Sequence, residues 1–136
     1  MLSTDFAPNE FFDDALISLI TLFSPHRWKS GKETNMCIKE LNSIFPYGKI
    51  TLFLSARSSL FFLLKSLHIP QDSQVAVTGF TCEAVVLPVR AANLHPIYID
   101  IEKDTYSMDY DDLLRKLLPS TKVIILQHTF GLVPKH

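Results

Sequence analysis

A chain of 136 residues has room for one domain or part of one, and with 47% of them apolar it can bury a real core. A formal net charge of -1 with scattered Lys and Arg excludes a global basic field, so nucleic acid is not an expected partner and any anionic ligand has to be held locally. Cys37 and Cys82 lie too far apart for metal-type spacing, and His26, His68, His95, His128 and His136 are scattered, so neither set suggests a metal site. The thiols read as reduced cysteines of a cytosolic protein. Residues 1–10 are acidic and polar, without the basic-then-apolar pattern of a secretory signal. The apolar stretch from Phe11 to Phe23 is interrupted by Asp13 and Asp14 and falls short of the about 20 residues a membrane span needs. The expectation is a cytoplasmic protein without a membrane partner.

In chain order, Asn9 is expected to cap a helix running to about Phe23. Phe12, Ala15, Leu16, Leu19, Ile20 and Phe23 fall on one face of it, which predicts packing on the rest of the fold. His26 to Asn35 reads as loop, and Met36 to Phe45 as a short helix stopped by Pro46 and Gly48. From Lys49 the pattern becomes regular. Strands are predicted at Ile50–Leu54, Gln74–Thr78, Pro96–Ile101 and Lys122–Gln127. Helices are predicted at Leu60–His68, Thr81–Asn93 and Asp109–Leu118, the last with Asp109, Asp111 and Asp112 favourable in its first turn. Alternation of strand and helix predicts right-handed βαβ units and an α/β fold with a mostly parallel sheet and flanking helices. The organisation expected is an N-terminal helical segment over residues 1–46 and an α/β domain over 47–136. A strand as apolar as Val123–Leu126 belongs in the middle of a covered sheet. Only Gln127 to His136 follow it, so the chain is expected either to be truncated or to lean on a partner.

Three turns carry candidate chemistry. Ser55-Ala56-Arg57-Ser58-Ser59 stands between a predicted strand and a predicted helix. Backbone amides there suit a phosphate, with a serine hydroxyl and the Arg57 charge in support. An ordinary serine cap explains the same residues. Thr78-Gly79-Phe80-Thr81-Cys82 follows a strand, on the rim where open α/β sheets bind ligands. Gly79 permits close backbone approach and Phe80 offers a flat face; the other reading puts Phe80 in the core. Cys82 has no histidine tied to it by sequence, which favours an inert thiol over a nucleophile. Gln127-His128-Thr129-Phe130-Gly131 follows the last strand. His128 suits contact with a ring or proton transfer, or is simply satisfied by backbone hydrogen bonds. Asp100 reads as structural. Neither a Walker loop nor a GxGxxG fingerprint is present.

Taken together, these turns resemble the DegT/DnrJ/EryC1/StrS family of pyridoxal 5'-phosphate-dependent sugar aminotransferases. The likeness runs from about Tyr47 to Pro134. It rests on SARSSL, on VAVTGFTCEAVVLPVRAANLHPIYIDIEKDTYSMD and on TKVIILQHTFGLVP. The combination is specific where no single piece is, and residues 1–46 match only loosely. The resemblance implies part of the large domain of a type I aminotransferase fold, usually a homodimer with active sites at the subunit interface. It implies pyridoxal 5'-phosphate as cofactor, with its phosphate on the backbone amides of Ala56 and Arg57. Cys82 stands where many members stack an aromatic ring on the pyridine. The cofactor-binding set expected in this chain is therefore Ala56, Arg57, Ser58, Phe80, Cys82 and His128. Ala56 replaces a common Gly, and Cys82 is a larger departure that alters how the ring is held.

The same resemblance places the pyridine-pairing Asp and the Schiff-base Lys in later segments, and Lys122 and Lys135 come too early. No catalytic residue is assigned within the chain, which reads as the N-terminal part of an enzyme and inactive alone. The implied reaction transfers an amino group from a donor such as glutamate to a keto group of a nucleotide-linked sugar. The alternatives are a non-catalytic fragment or pseudoenzyme stabilised by a partner, and a dehydratase of the same family with His in place of the catalytic Lys. An unrelated nucleotide-binding α/β module is disfavoured by the missing glycine fingerprint.

Overall fold

The computed structural model of the chain describes residues 11–25, 28 and 31–134. Asn9, His26, Lys135 and His136 lie outside them. Contacts divide the chain into two compact units that meet at Leu52 and Phe53.

Among the described residues the first unit holds two α-helices. α1 spans Phe12–Leu22, and its first turn is closed by Asp14, whose carboxylate accepts the Phe11 N–H at 2.9 Å. Asp13 and Asp14 also meet the positive end of the helix dipole. After the helix, the Trp28 indole N–H donates to the Thr21 carbonyl at 2.8 Å. α2 spans Lys32–Ile44, beginning after Gly31. It starts four residues before the helix expected at Met36, so the predicted loop is shorter than read from the sequence. The apolar face predicted for α1 is not packed: Phe12, Leu16, Leu19, Ile20 and Phe23 all stay exposed.

The second unit is a three-layer α/β arrangement. α3 spans Ala56–Ser66, β1 Gln74–Thr78, α4 Glu83–Ala91, β2 His95–Ile99, α5 Tyr110–Lys116 and β3 Thr121–Ile124. The strands are parallel in the order β2-β1-β3. β1 registers Gln74 with His95 on one side and with Thr121 on the other. It is the centre of the fold because its β-branched run, QVAVT, is buried on both faces. Val75 and Val77 pack with Leu64, Val89, Ala92 and Leu94 from α3, α4 and the turn after α4. Ala76 packs on the other face with Ile99 and Met108. At about 25 cal/mol per Å² of apolar surface, each fully buried valine contributes on the order of 2 kcal/mol.

One sequence expectation gives way here. Ile50–Leu54 is not a strand, because no neighbouring strand among the described residues offers it a ladder. Leu54 is fully exposed, and Phe53 instead stacks on Phe62 of α3, ring centroids 5.6 Å apart. Among the described residues β3 lies at one edge of the three-stranded sheet. Val123 and Ile125 face the core, while Ile124 and Leu126 are about half exposed.

α5 is fixed to the sheet by Asp112. Its carboxylate, 10% exposed, accepts the Asp100 N–H at 2.8 Å and lies 2.7 Å from Lys116 Nζ and 3.1 Å from Arg115 Nη2. Asp109 caps the helix, its Oδ1 accepting the Asp112 N–H at 2.7 Å. The chain leaves β1 for β2 on one side through α4, then crosses through α5 to β3 on the other side. Strand order therefore reverses between β1 and β3. A crevice outside the carboxyl ends of strands at such a reversal is the favoured ligand position in open α/β sheets.

Candidate functional site

The carboxyl ends of β1 and β3 are joined by side chains. Thr78, fully buried, ends β1. Its Oγ1 lies 3.3 Å from Gln127 Oε1 and 3.4 Å from the Phe80 carbonyl. Thr81 Oγ1 donates to the same Gln127 oxygen at 2.5 Å. Gly79 donates its N–H to the Ile99 carbonyl at 2.8 Å, and an added Cβ would meet that oxygen at 3.6 Å, an ordinary contact. Close approach within the protein thus does not demand glycine there. Around this tether Phe80, Thr81, Cys82, Gln127, His128, Thr129 and Phe130 line one cleft.

Phe80 is 49% exposed, which removes the reading that buried it in the core. It belongs to a three-ring cluster with Tyr106 at 6.0 Å and Phe130 at 6.2 Å, and Tyr106 meets Phe130 edge-on at 5.9 Å. Tyr106 and Phe130 both hold left-handed backbone, φ 54 and φ 56, which costs a bulky L-residue roughly 1–2 kcal/mol. Local bonds maintain it. Tyr106 N–H reaches the Glu102 carbonyl at 3.0 Å, and the buried Ser107 donates its hydroxyl to the Leu132 carbonyl at 3.2 Å. The two aromatic turns are so clasped to each other. Cys82 is exposed and caps α4, its Sγ accepting the Ala84 N–H at 3.5 Å. The His128 carbonyl accepts the Gly131 N–H at 2.9 Å, while its ring bonds to nothing among the described residues.

The serine-rich segment is the first turn of α3, not a turn ahead of a helix. Ser55 is the cap: Oγ accepts the Ser58 N–H at 3.2 Å and sits 3.0 Å from Ser58 Oγ. Its carbonyl accepts the Ser59 N–H. The N–H groups of Ala56 and Arg57, the first two helical positions, have no acceptor among the described residues and are exposed. Arg57 and Ser58 lie along a second cleft, with Phe61 and Phe62 of α3 and Leu87, Pro88 and Ala91 of α4. The structure thus gathers Phe80, Cys82 and His128 in one cleft and sets Arg57 and Ser58 along another. No hydrogen bond or ring contact among the described residues joins the two. Ser55→Ala is expected to cost about 1 kcal/mol in a denaturant melt by removing the cap.

Sequence reasoning placed Thr81, Gln127 and Phe130 within candidate turns without giving them a role, and it missed Tyr106 as part of this arrangement. The visible signal was the position of QHTFG at the end of a strand on the same rim as GFTC. Among the described residues no group of His, Cys, Asp or Glu is placed to hold a metal ion, and no helix is long and apolar enough to cross a membrane.

Residues 19–134 match the model of the DegT/DnrJ/EryC1/StrS aminotransferase family. The chain is 30% identical over 82 residues to a dTDP-4-amino-4,6-dideoxy-D-glucose transaminase of Escherichia coli, covering 60% of this chain and 22% of that protein. It is 28% identical over 68 residues to a dTDP-3-amino-3,4,6-trideoxy-alpha-D-glucose transaminase of Micromonospora megalomicea subsp. nigra, covering 50% and 18%. The chain thus spans about a fifth of the length of the curated relatives it matches. In fold it follows the putative sugar aminotransferase Spr1654 of Streptococcus pneumoniae in its PMP form, with a TM-score of 0.79 and 24% identity over 93% of this chain and 32% of that one. The parallel sheet with α4 and α5 on opposite faces, the order of the three turns and a match over most of the sequence agree: the chain belongs to the DegT/DnrJ/EryC1/StrS aminotransferase family.

Proposed function

We propose that the whole protein is a cytoplasmic, pyridoxal 5'-phosphate-dependent aminotransferase, working as a homodimer. It moves an amino group from an amino-acid donor such as glutamate to a keto group of a nucleotide-linked sugar. The dTDP-linked sugars in the names of the two relatives support the substrate class. The observation that carries the cofactor reading is the head of α3. Two backbone N–H groups without an acceptor among the described residues, and the residues Arg57 and Ser58, belong to the first turn of an 11-residue helix, its positive end. That donor set fits a phosphate dianion. The ring-side residues fit more loosely. Cys82 offers a small polarizable surface in place of a flat ring, and Phe80 beside it is half exposed and carries the apolar face.

When bound, the cofactor supplies the electron sink for removing a proton next to the amino nitrogen. This chain's own work is binding and orientation. Ala56 and Arg57 donate N–H groups to phosphate oxygens, Arg57 balances their charge, and the Phe80 face keeps water off one side of the ring. His128 lines the same cleft and offers its imidazole for proton transfer there.

The test uses Ala56→Pro. Proline suits the first helical position, and Ser55 already has the extended backbone that a following proline requires. The substitution deletes one N–H and leaves the helix standing. The ³¹P resonance of pyridoxamine 5'-phosphate is expected to shift on titration with the wild-type chain. The midpoint is expected to rise about fivefold in the variant, with an unchanged thermal melt. An identical titration for both proteins removes the phosphate from the head of α3.

A further inference from the structure

Gln127 carries more information than a tether between two strands. A Thr81 Oγ1 to Gln127 contact of 2.5 Å lies within the range of an O–H···O bond and is too short for N–H···O. The amide orientation follows: Oε1 faces the threonines, and Thr78 Oγ1 approaches the same oxygen at 3.3 Å. Both hydrogens on Nε2 are then without an acceptor among the described residues. The side chain is partly buried and lines the cleft whose wall includes Phe80 and Phe130. A primary amide so clamped loses little further rotamer freedom when it donates, which favours directional recognition.

We propose that Gln127 is a specificity-determining residue that donates through Nε2 to an oxygen on a planar heteroaromatic ring lying against Phe80 and Phe130. Aromatic faces accept any flat ring, so stacking alone does not choose one. The amide donor adds the choice, because a ring without an acceptor oxygen leaves it unpaired. Two ligands of the proposed reaction carry such a ring: the 3-hydroxypyridine of the cofactor and the pyrimidinedione of a thymidine-linked sugar. The inference rests on the proposed function for the presence of these ligands, while the cleft's chemistry is the same for either.

The experiment follows the Gln127 side-chain N–H₂ resonances of the ¹⁵N-labelled 136-residue chain by NMR. The probes are 4-deoxypyridoxine 5'-phosphate, whose ring lacks the aldehyde that reacts with surface lysines, and thymidine 5'-monophosphate. Gln127→Met removes the donor without adding charge. Gln127→Glu keeps an oxygen for Thr78 and Thr81, so it separates loss of the donor from loss of the tether. One probe is expected to move the Gln127 N–H₂ signals saturably, and both variants are expected to bind it about tenfold more weakly with the cleft's backbone resonances in place. The probe that responds identifies the source of the ring. Wild-type binding that leaves the Gln127 signals still, or that survives both substitutions, overturns the role of Gln127 and leaves the cofactor reading intact. Absence of binding by either probe overturns both.

Discussion

Val77→Asp is expected to leave no folded second unit at pH 7. Val77 is fully buried in the middle of β1, among Val75, Leu64, Val89 and Leu94. The side chains clustered around it are apolar, and Val77 itself pairs with Tyr98 in the ladder to β2. A carboxylate there loses its hydration without a partner, at a cost of several kcal/mol, and the valine's apolar contribution goes with it. Domains of this size hold about 5–15 kcal/mol of stability in all, so the loss is enough to unfold the unit. Circular dichroism of the variant is expected to lack a cooperative thermal transition. Lowering the pH towards 4 neutralises the carboxyl and is expected to recover part of the signal. Val77→Thr, similar in shape, keeps a cooperative melt at lower temperature. A Val77→Asp protein that melts like wild type at pH 7 would show that β1 is not the centre of the core.

The second large effect concerns Asp112. Hydrogen bonding from Lys116, then from the Asp100 N–H, lowers its pKa from 3.8 to about 2, with Arg115 and the Lys116 charge adding to the shift and partial burial opposing it. A carboxyl whose folded value is depressed stabilises the fold fully above its unfolded value. That contribution disappears as pH falls through the folded value, here between about 4 and about 2. Asp112→Asn retains an oxygen for the Asp100 N–H and loses the charge that holds Lys116 and Arg115 to the helix. The melting temperature of the variant is expected to fall by several degrees at pH 6. Other carboxylates titrate over the same range, so the decisive quantity is the difference between the two proteins. It is expected to be large at pH 6 and to shrink towards zero near pH 2. A difference that stays constant over that range assigns the effect to geometry rather than charge.

The alternation of elements from β1 to β3 was legible because each strand is a short run of β-branched or apolar residues, bounded by turn formers and followed by a helical period. Boundaries were less legible, for local reasons. Ser55 to Ser59 is rich in small residues and reads as a turn, yet Ser55 caps so effectively that the helix begins at Ala56. Ile50–Leu54 has the composition of a strand, but a strand exists only where another offers its edge, and that condition is not written within five residues. The rim itself was half visible. Phe80, Cys82 and His128 could be placed at strand ends, and they do share a cleft. Gln127 could not be linked to Thr81, 46 residues away, by any local rule. Tyr106 and Phe130 occupy backbone regions where sequence reasoning looks for Gly, Asn or Asp, so nothing in their residue type announces the turns that bring them to Phe80.

The pairing of β1 with both its neighbours bears on the order of assembly. Joining Gln74 to His95 closes a loop of roughly twenty residues that includes α4, whereas the side-chain bond from Thr121 to Gln74 spans 47. The shorter closure costs less chain entropy, so the β1–α4–β2 segment is the natural nucleus and β3 docks afterwards. The cleft lined by Phe80, Gln127 and His128 comes into being only with that last docking event. Amide hydrogen exchange is accordingly expected to be slowest along β1 and measurably faster at Ile125, whose N–H reaches the Ala76 carbonyl.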